Sequence, residues 1–339
     1  MLRLPPFEYH APKSIAEAVA LKAEYGELAM YVAGGTDLFP NMKRQQFTPQ
    51  NLIGLRKIPE LFQLVFDQDG TGLTLGAGVS LNEVAEHPDI LKNYPALAKA
   101  ASLVSAPQLR NMGTIGGNLC LDTRCTYYNQ SYQWRKALGF CLKKSGDTCW
   151  VARSSPKCLA VSSSDCAPVM VALEAEFCLA SPAGEAVKTR IVPASEFYKN
   201  DGANFLNKTA DELLVSIRLP TYYSGKSGIG WKMNYRKLSR RNAIDFPLLG
   251  VATAFRQKDN GDCAEARIVL GAVGSSPLRA DEAEKILQDG SLTLERIEDA
   301  VQAAAKLAKP LDNTDMTLSY RKKMASRFIT EAFNEVLKV

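Results

Sequence analysis

Four of the chain's eight cysteines, Cys125, Cys141, Cys149 and Cys158, fall in one segment at steps of 16, 8 and 9 residues. The segment starts after Thr114-Ile115-Gly116-Gly117-Asn118-Leu119 and stops before Ser164-Asp165-Cys166-Ala167-Pro168. Gathered thiolates hold soft metals, and four of them satisfy a [4Fe-4S] cube at one per iron. Zinc also takes four cysteines, but its structural sites favour closely spaced knuckles. No two of these four are that close, although Cys120 and Cys125 have four residues between them and leave a zinc site open. Cys120, Cys166, Cys178 and Cys263 lie outside the set and read as packing residues, since buried free cysteine is common.

A second kind of chemistry lies in two glycine turns. Val32-Ala33-Gly34-Gly35-Thr36-Asp37-Leu38 directly follows a predicted strand over 29–32. Paired glycines there permit a tight turn and close approach of backbone N–H groups to a phosphate. The pattern is neither Gly-x-Gly-x-x-Gly nor a Walker loop. Thr114 to Asn118 repeats the logic about eighty residues later. One Gly-Gly turn is usually only a turn; two could clamp the two phosphates of a dinucleotide.

The elements that must position these turns are legible in part. Ser14-Ile15-Ala16-Glu17 and Ser80-Leu81-Asn82-Glu83 have capping-box spacing, so a helix should follow each, the first ending at Gly26. Strands are expected over 73–77, 213–219, 250–256 and 266–273, and helices over 96–103, 281–287, 294–307 and 320–337. Residues 168–173 and 176–180 read as apolar segments resuming the core after the insert. In the last helix Tyr320, Met324, Phe328, Ala332 and Val336 share one face and are expected to be core. The small-residue stretch 222–230 marks a candidate boundary. His87 precedes Pro88 at a helix end and reads as structural; with only His10 besides it, no histidine base is assigned.

The 339 residues suit two or three domains. No run of about 18 apolar residues appears, so no membrane span is expected. No long apolar N-terminal stretch resembles a secretory signal, and eight cysteines without one argue for reduced thiols in the cytoplasm. The formal charge of +5 does not by itself suggest nucleic acid. The insert is nonetheless basic: Arg124, Arg135, Lys136, Lys143, Lys144, Arg153 and Lys157 stand against Asp122 and Asp147. That is either a solvated surface or a docking patch for an acidic protein.

Both glycine loops, the second taken from Arg110 to Leu119, resemble the FAD-binding medium subunit of molybdenum hydroxylases, the xanthine dehydrogenase and carbon monoxide dehydrogenase group. Tyr235-Arg236-Lys237-Leu238-Ser239-Arg240-Arg241 with Asp245-Phe246-Pro247, and Gly271 to Arg279, fit the same family. The resemblance implies an α+β fold: a vanillyl-alcohol-oxidase (PCMH)-type FAD-binding domain in two subdomains, then a C-terminal α/β domain of the carbon monoxide dehydrogenase flavoprotein type. The expected divisions are 1–58, 59–221 with an iron–sulfur insert at 120–162, and 222–339. It implies that Val32, Ala33, Gly34, Gly35, Thr36, Asp37, Leu38, Thr114, Gly117 and Asn118 hold the pyrophosphate and ribityl chain. Val104, Leu213 and Leu214 would flank the rings, Asp165 would reach the adenosine end, and Lys237 would lie near the isoalloxazine, unless it is an ordinary surface lysine.

Ordinary members of that family cross from the Gly-Gly-Asn turn to the next motif in roughly ten residues, whereas Leu119 and Asp165 here are 46 positions apart. The extra length, from Cys120 to Ser131 and from Gly139 to Lys143, resembles the branch of 4-hydroxybenzoyl-CoA reductase β subunits. That branch implies a [4Fe-4S] cluster on Cys125, Cys141, Cys149 and Cys158, shielded by Tyr127, Tyr128, Trp134, Phe140 and Trp150. Its implied partners are a large molybdopterin subunit, a small subunit with two [2Fe-2S] clusters and a ferredoxin-like donor, in a dimer of heterotrimers. Electrons would run from ferredoxin through the insert and FAD to molybdenum, where the phenolic hydroxyl of the thioester is removed. An oxidising hydroxylase for an aldehyde or N-heterocycle, or a non-redox module with a zinc-binding insert, are the other readings.

Overall fold

Three separate sheets organise the chain in the computed structural model, which describes residues 3–67, 72–184, 186–221, 230–258, 260 and 262–337. The first is parallel, in the order Glu8–His10, Asn51–Gly54, Ala29–Val32. The second is antiparallel, in the order Leu64–Phe66, Gly72–Gly76, Leu213–Pro220, Glu176–Ala183, Ala186–Pro193. The third, also antiparallel, runs Leu278–Arg279, Cys263–Gly271, Leu249–Gln257, Trp231–Leu238. Helices pack on each, giving the α+β class expected. The candidate boundary at 222–230 lies, but for Gly230, outside the described residues.

Local rules explain the element starts. Ser14 Oγ accepts from Glu17 N at 3.2 Å, and the helix Ile15–Tyr25 ends at Gly26 with φ +52. The reciprocal half of the box differs: the Glu17 carboxylate accepts from Lys13 N at 2.8 Å. Ser80 Oγ likewise accepts from Glu83 N at 3.1 Å and starts Leu81–Glu86. His87 ends that helix and caps the next, its Nδ1 accepting from Asp89 N at 3.2 Å, which is a structural role. The segment 168–173 resolves into the helix Cys166–Ala172, and 176–180 into the strand Glu176–Ala183.

The C-terminal helix Leu318–Leu337 corrects one expectation. Tyr320 is 41% exposed, and Met324 and Phe328 are only half-buried. Ala332 and Val336 are buried as expected, and Met324 and Phe328 pack against the same core; the row Arg321, Ala325, Ile329 and Phe333, one position further on, is seated with them. Arg321 leads it because its guanidinium donates to the carbonyls of Leu311 (2.9 Å) and Ala272 (3.2 Å). With both terminal nitrogens paired the head can be buried even though Nε finds no partner, and the apolar pattern alone did not reveal it. Phe333 then meets Phe255 edge-on at 5.4 Å.

The insert contains one short helix, Tyr132–Ala137, capped by Ser131. Its chain enters and leaves through one paired bridge: Arg124 N donates to Val161 O (2.8 Å) and Val161 N to Arg124 O (2.7 Å). The rest is turns. Cys125, Tyr128, Cys141, Cys158 and Ala160 form its apolar centre, with Tyr127, Trp150 and Val151 against it. Two shielding residues expected there are elsewhere: Trp134 is 42% exposed, and Phe140 lies against Tyr132 at 5.8 Å. Trp134 is on the exposed side of the short helix, while Phe140, just past its end, is half-buried and its carbonyl accepts from Trp150 Nε1.

Candidate functional site

The parallel sheet delivers Val32 into the turn Gly34-Gly35, and the helix Leu38–Lys43 follows. Gly35 has φ +69, and a Cβ there would enter the Phe39 ring. A Cβ on Gly34 would run into the carbonyl of Met112. The two glycine loops therefore touch, as the clamp reading requires, and only glycine lets the backbones approach so closely. On the second loop Thr114 Oγ1 accepts from Gly117 N at 3.0 Å, fixing the turn. Asn118 Oδ1 accepts from Ser164 Oγ (2.7 Å) and Cys166 N (3.2 Å), which ties the turn to the chain beyond the insert.

Between these loops lies a cavity of about 640 Å³, inside the usual range for small-molecule and cofactor sites. Val32 to Leu38, Val104, Thr114, Gly117, Asn118, Asp165, Leu213 and Leu214 all line it. The chain supplies the cradle a dinucleotide needs. A Cβ at Gly117 would meet only Thr114 Oγ1, at 3.1 Å, so this backbone stands open on its glycine side.

Lys237 is placed differently from the rest. It is not on the cavity wall, and its ammonium is fully used: Nζ donates to Asp165 Oδ2 (2.9 Å), Leu103 O (2.9 Å) and Asp245 O (2.8 Å). Asp165 Oδ1 accepts from Tyr235 OH at 2.8 Å. Burial pushes the Asp165 carboxyl upward, and Lys237 and Tyr235 pull it back.

Several cavity residues escaped the sequence reading. Lys22 follows Ala18 and Val19 at helical spacing, so its burial was legible. Its Nζ donates to Gly26 O (2.5 Å) and Ala29 O (2.6 Å), and burial lowers its pKa. Tyr128, Lys143, Lys144 and Asp122 bring the insert onto the wall, and Phe246 comes from beyond the third sheet's first strand. Lys143 Nζ is held by Asp122 (2.7 Å), Thr123 Oγ1 (2.7 Å) and Gly202 O (2.5 Å). Lys144 makes no ion pair among the described residues. Arg124 pairs with Asp37 and lies 4.3 Å over the Phe246 ring. Burial pushes its guanidinium down to about 10, so it stays charged at neutral pH. Cys120, expected only to pack, also reaches the wall.

The four insert cysteines are free and buried. A thiolate at Cys158 or Cys141 would raise the pKa of Cys125, and one at Cys149 or Cys141 that of Cys158, so the four lie within electrostatic reach of one another. Burial pushes Cys125 up to about 12 and Cys158 to about 11, so in the bare chain both are neutral thiols. Backbone N–H groups already aim at sulfur, Ala160 N at 3.4 Å from Cys158 Sγ. Among the described residues no group of three or more His, Cys, Asp or Glu side chains is arranged to hold a metal ion. None of the described helices is long and apolar enough to cross a membrane.

Residues 5–222 match the FAD binding domain in molybdopterin dehydrogenase, and residues 234–336 the CO dehydrogenase flavoprotein C-terminal domain. The chain is 31% identical over 330 residues to the carbon monoxide dehydrogenase medium chain of Hydrogenophaga pseudoflava, covering 97% of this chain and 96% of that one. It is 32% identical over 333 residues to the aldehyde oxidoreductase FAD-binding subunit of Escherichia coli K12, covering 94% and 96%. Among solved structures, carbon monoxide dehydrogenase from Hydrogenophaga pseudoflava superposes with a TM-score of 0.79 at 30% identity, covering 99% of each chain.

Proposed function

This chain belongs to the family of FAD-binding medium subunits of molybdenum hydroxylases, and from that premise we propose that it is the FAD and [4Fe-4S] electron-transfer subunit of such an enzyme. The reading goes one step further, to ferredoxin-driven reductive dehydroxylation of 4-hydroxybenzoyl-CoA. The single observation that carries it is the insert. All four cysteines are buried in a segment with almost no regular structure, three of them, Cys125, Cys141 and Cys158, at its apolar centre, and that segment forms one wall of the flavin cavity. A small turn-rich unit with so few apolar residues needs a cross-link. A cube gives each thiolate its own iron, so its ligands need not converge on one ion.

FAD, when bound, supplies chemistry that accepts electrons in pairs or singly. The residues of this chain would bind and orient it: the glycine turns would hold the pyrophosphate, Val104, Leu213 and Leu214 would flank the rings, and Asp165 would close the adenosine end. Lys237 acts in this reading through Asp165, which its ammonium holds in place. No side chain here serves as acid, base or nucleophile for substrate. Substrate chemistry belongs to a separate large molybdopterin subunit, reached through a small subunit with two [2Fe-2S] clusters, in a dimer of heterotrimers. The cytoplasm keeps the thiols reduced; Arg124, Arg135 and Lys143 turn inward, so only the remaining basic residues of the insert, Lys136 and Arg153 among them, are left on its surface to meet an acidic ferredoxin.

A second reading rests on the relatives, whose names are those of dehydrogenases and oxidoreductases for carbon monoxide, aldehyde and nicotinate. In it the subunit carries electrons away from an oxidised substrate. Anaerobic stopped-flow reduction of the assembled complex separates the two. Flavin bleaching by reduced ferredoxin, with none by aldehydes or N-heterocycles, supports the reductase; bleaching by an organic substrate alone supports the hydroxylase and ends the reductase reading.

A further inference from the structure

The insert grips the flavin loop at two points. The helix Leu38–Lys43 continues the Gly34-Gly35-Thr36-Asp37 turn, and an insert arginine holds each of its ends. At the start, Arg124 pairs with Asp37 and donates through Nη1 to Asn41 Oδ1 at 3.3 Å. Asn41 Nδ2 donates to the other Asp37 oxygen at 2.9 Å, so the three side chains interlock. At the finish, Arg135 Nη2 donates to the carbonyls of Arg44 (3.1 Å) and Gln45 (2.9 Å), where Gln45 turns with φ +58. Gln46 Nε2 adds a bond to Tyr128 O at 2.7 Å. Arg124 and Arg135 are both buried. These contacts are made by the chain next to the thiols: Arg124 precedes Cys125, and its backbone pairs with Val161, three residues after Cys158.

We propose that Arg124 and Arg135 are positioning residues for the flavin cavity, and that through them FAD retention depends on the insert being closed over its ligated thiolates. The inference rests on the flavin and metal reading above. Its physics is linkage. The apolar centre of the insert is small, so ligation supplies much of its order. An open insert removes the charged partner of Asp37, the cap on the far end of the helix, and the cavity wall made by Tyr128, Lys143 and Lys144. Two sites that share such an element bias one another equally in both directions.

The test is FAD binding to the full-length chain, followed by flavin fluorescence, in iron-loaded and iron-depleted forms. Loaded wild type is expected to bind FAD about tenfold or more tightly than depleted wild type, within the usual range of coupling between sites. In the double variant Arg124→Gln/Arg135→Gln that ratio should fall close to one while iron and sulfide in the loaded form stay unchanged, and Arg124→Lys should recover part of it. Equal affinity of loaded and depleted wild type overturns the inference, and that comparison needs no substitution. A tenfold ratio that survives in the double variant overturns the roles of the arginines. Absence of FAD binding in both wild-type forms contradicts instead the flavin reading on which the inference stands.

Discussion

Lys237 Nζ lies 2.9 Å from Asp165 Oδ2, and the two side chains are only 5% and 4% exposed. The pair joins the strand Trp231–Leu238 of the third sheet to the residue that opens the helix Cys166–Ala172 at the cavity wall. It fastens the C-terminal domain to the site more than it charges the site. Removing one partner strands the other in a dry place. Lys237→Met is therefore expected to cost about 3–5 kcal/mol. Adding Asp165→Asn should return part of that loss, which a double-mutant cycle in urea measures. Additive losses would deny the coupling.

The glycines divide into two groups. Gly34→Ala forces a Cβ into the Met112 carbonyl, so the two loops must part. Overpacking of this kind costs about 1–3 kcal/mol, and FAD content should fall with it. Gly117→Ala meets only Thr114 Oγ1, so its fold should hold while FAD is displaced by the new methyl. Thermal unfolding and flavin stoichiometry on both variants distinguish loss of fold from loss of cradle.

Acid should weaken the chain through Glu212. Arg190 binds it in two-pronged fashion, Nε to Oε1 at 2.5 Å and Nη2 to Oε2 at 2.9 Å, and holds its carboxyl below the ordinary value. A depressed folded pKa gives stability that is present above the unfolded value, about 4.3, and is lost as pH falls through the lower folded value. Glu212→Gln should flatten stability against pH in that acid window and cost about 1–3 kcal/mol at neutral pH. An unchanged acid limb in the variant would rule the pair out as its cause.

Lys144 lines the cavity without an ion pair among the described residues. Its charge is free to face an anionic cofactor. Lys144→Gln should weaken FAD binding about threefold at low salt and less at high salt, where screening shortens the reach of the charge. Titration at two ionic strengths reads this directly; equal binding at both would place the ammonium in solvent.

What could be read in advance was local. The two glycine turns, the two capped helices and the strand into Gly34 follow from neighbours in sequence, and each formed close to where expected. The cavity lining from Val32 to Leu38 came from motif likeness. The misses share another cause. Arg124 and Asp37 are 87 positions apart, and no spacing rule links them. Lys237 stood out as a motif residue, but its three acceptors lie on three different segments. On the last helix Ala332 and Val336 were placed correctly, but Arg321 hid how far the buried face extends, because a buried arginine looks like surface until its carbonyl partners are known.

The most direct measurement is the content of iron, acid-labile sulfide, zinc and flavin per chain after anaerobic purification. The account predicts about four irons and four sulfides, as a [4Fe-4S] cube requires, with one FAD and no zinc. Zinc without sulfide, or a chain with FAD and no metal, would contradict the cluster and leave a flavoprotein subunit with a structural insert.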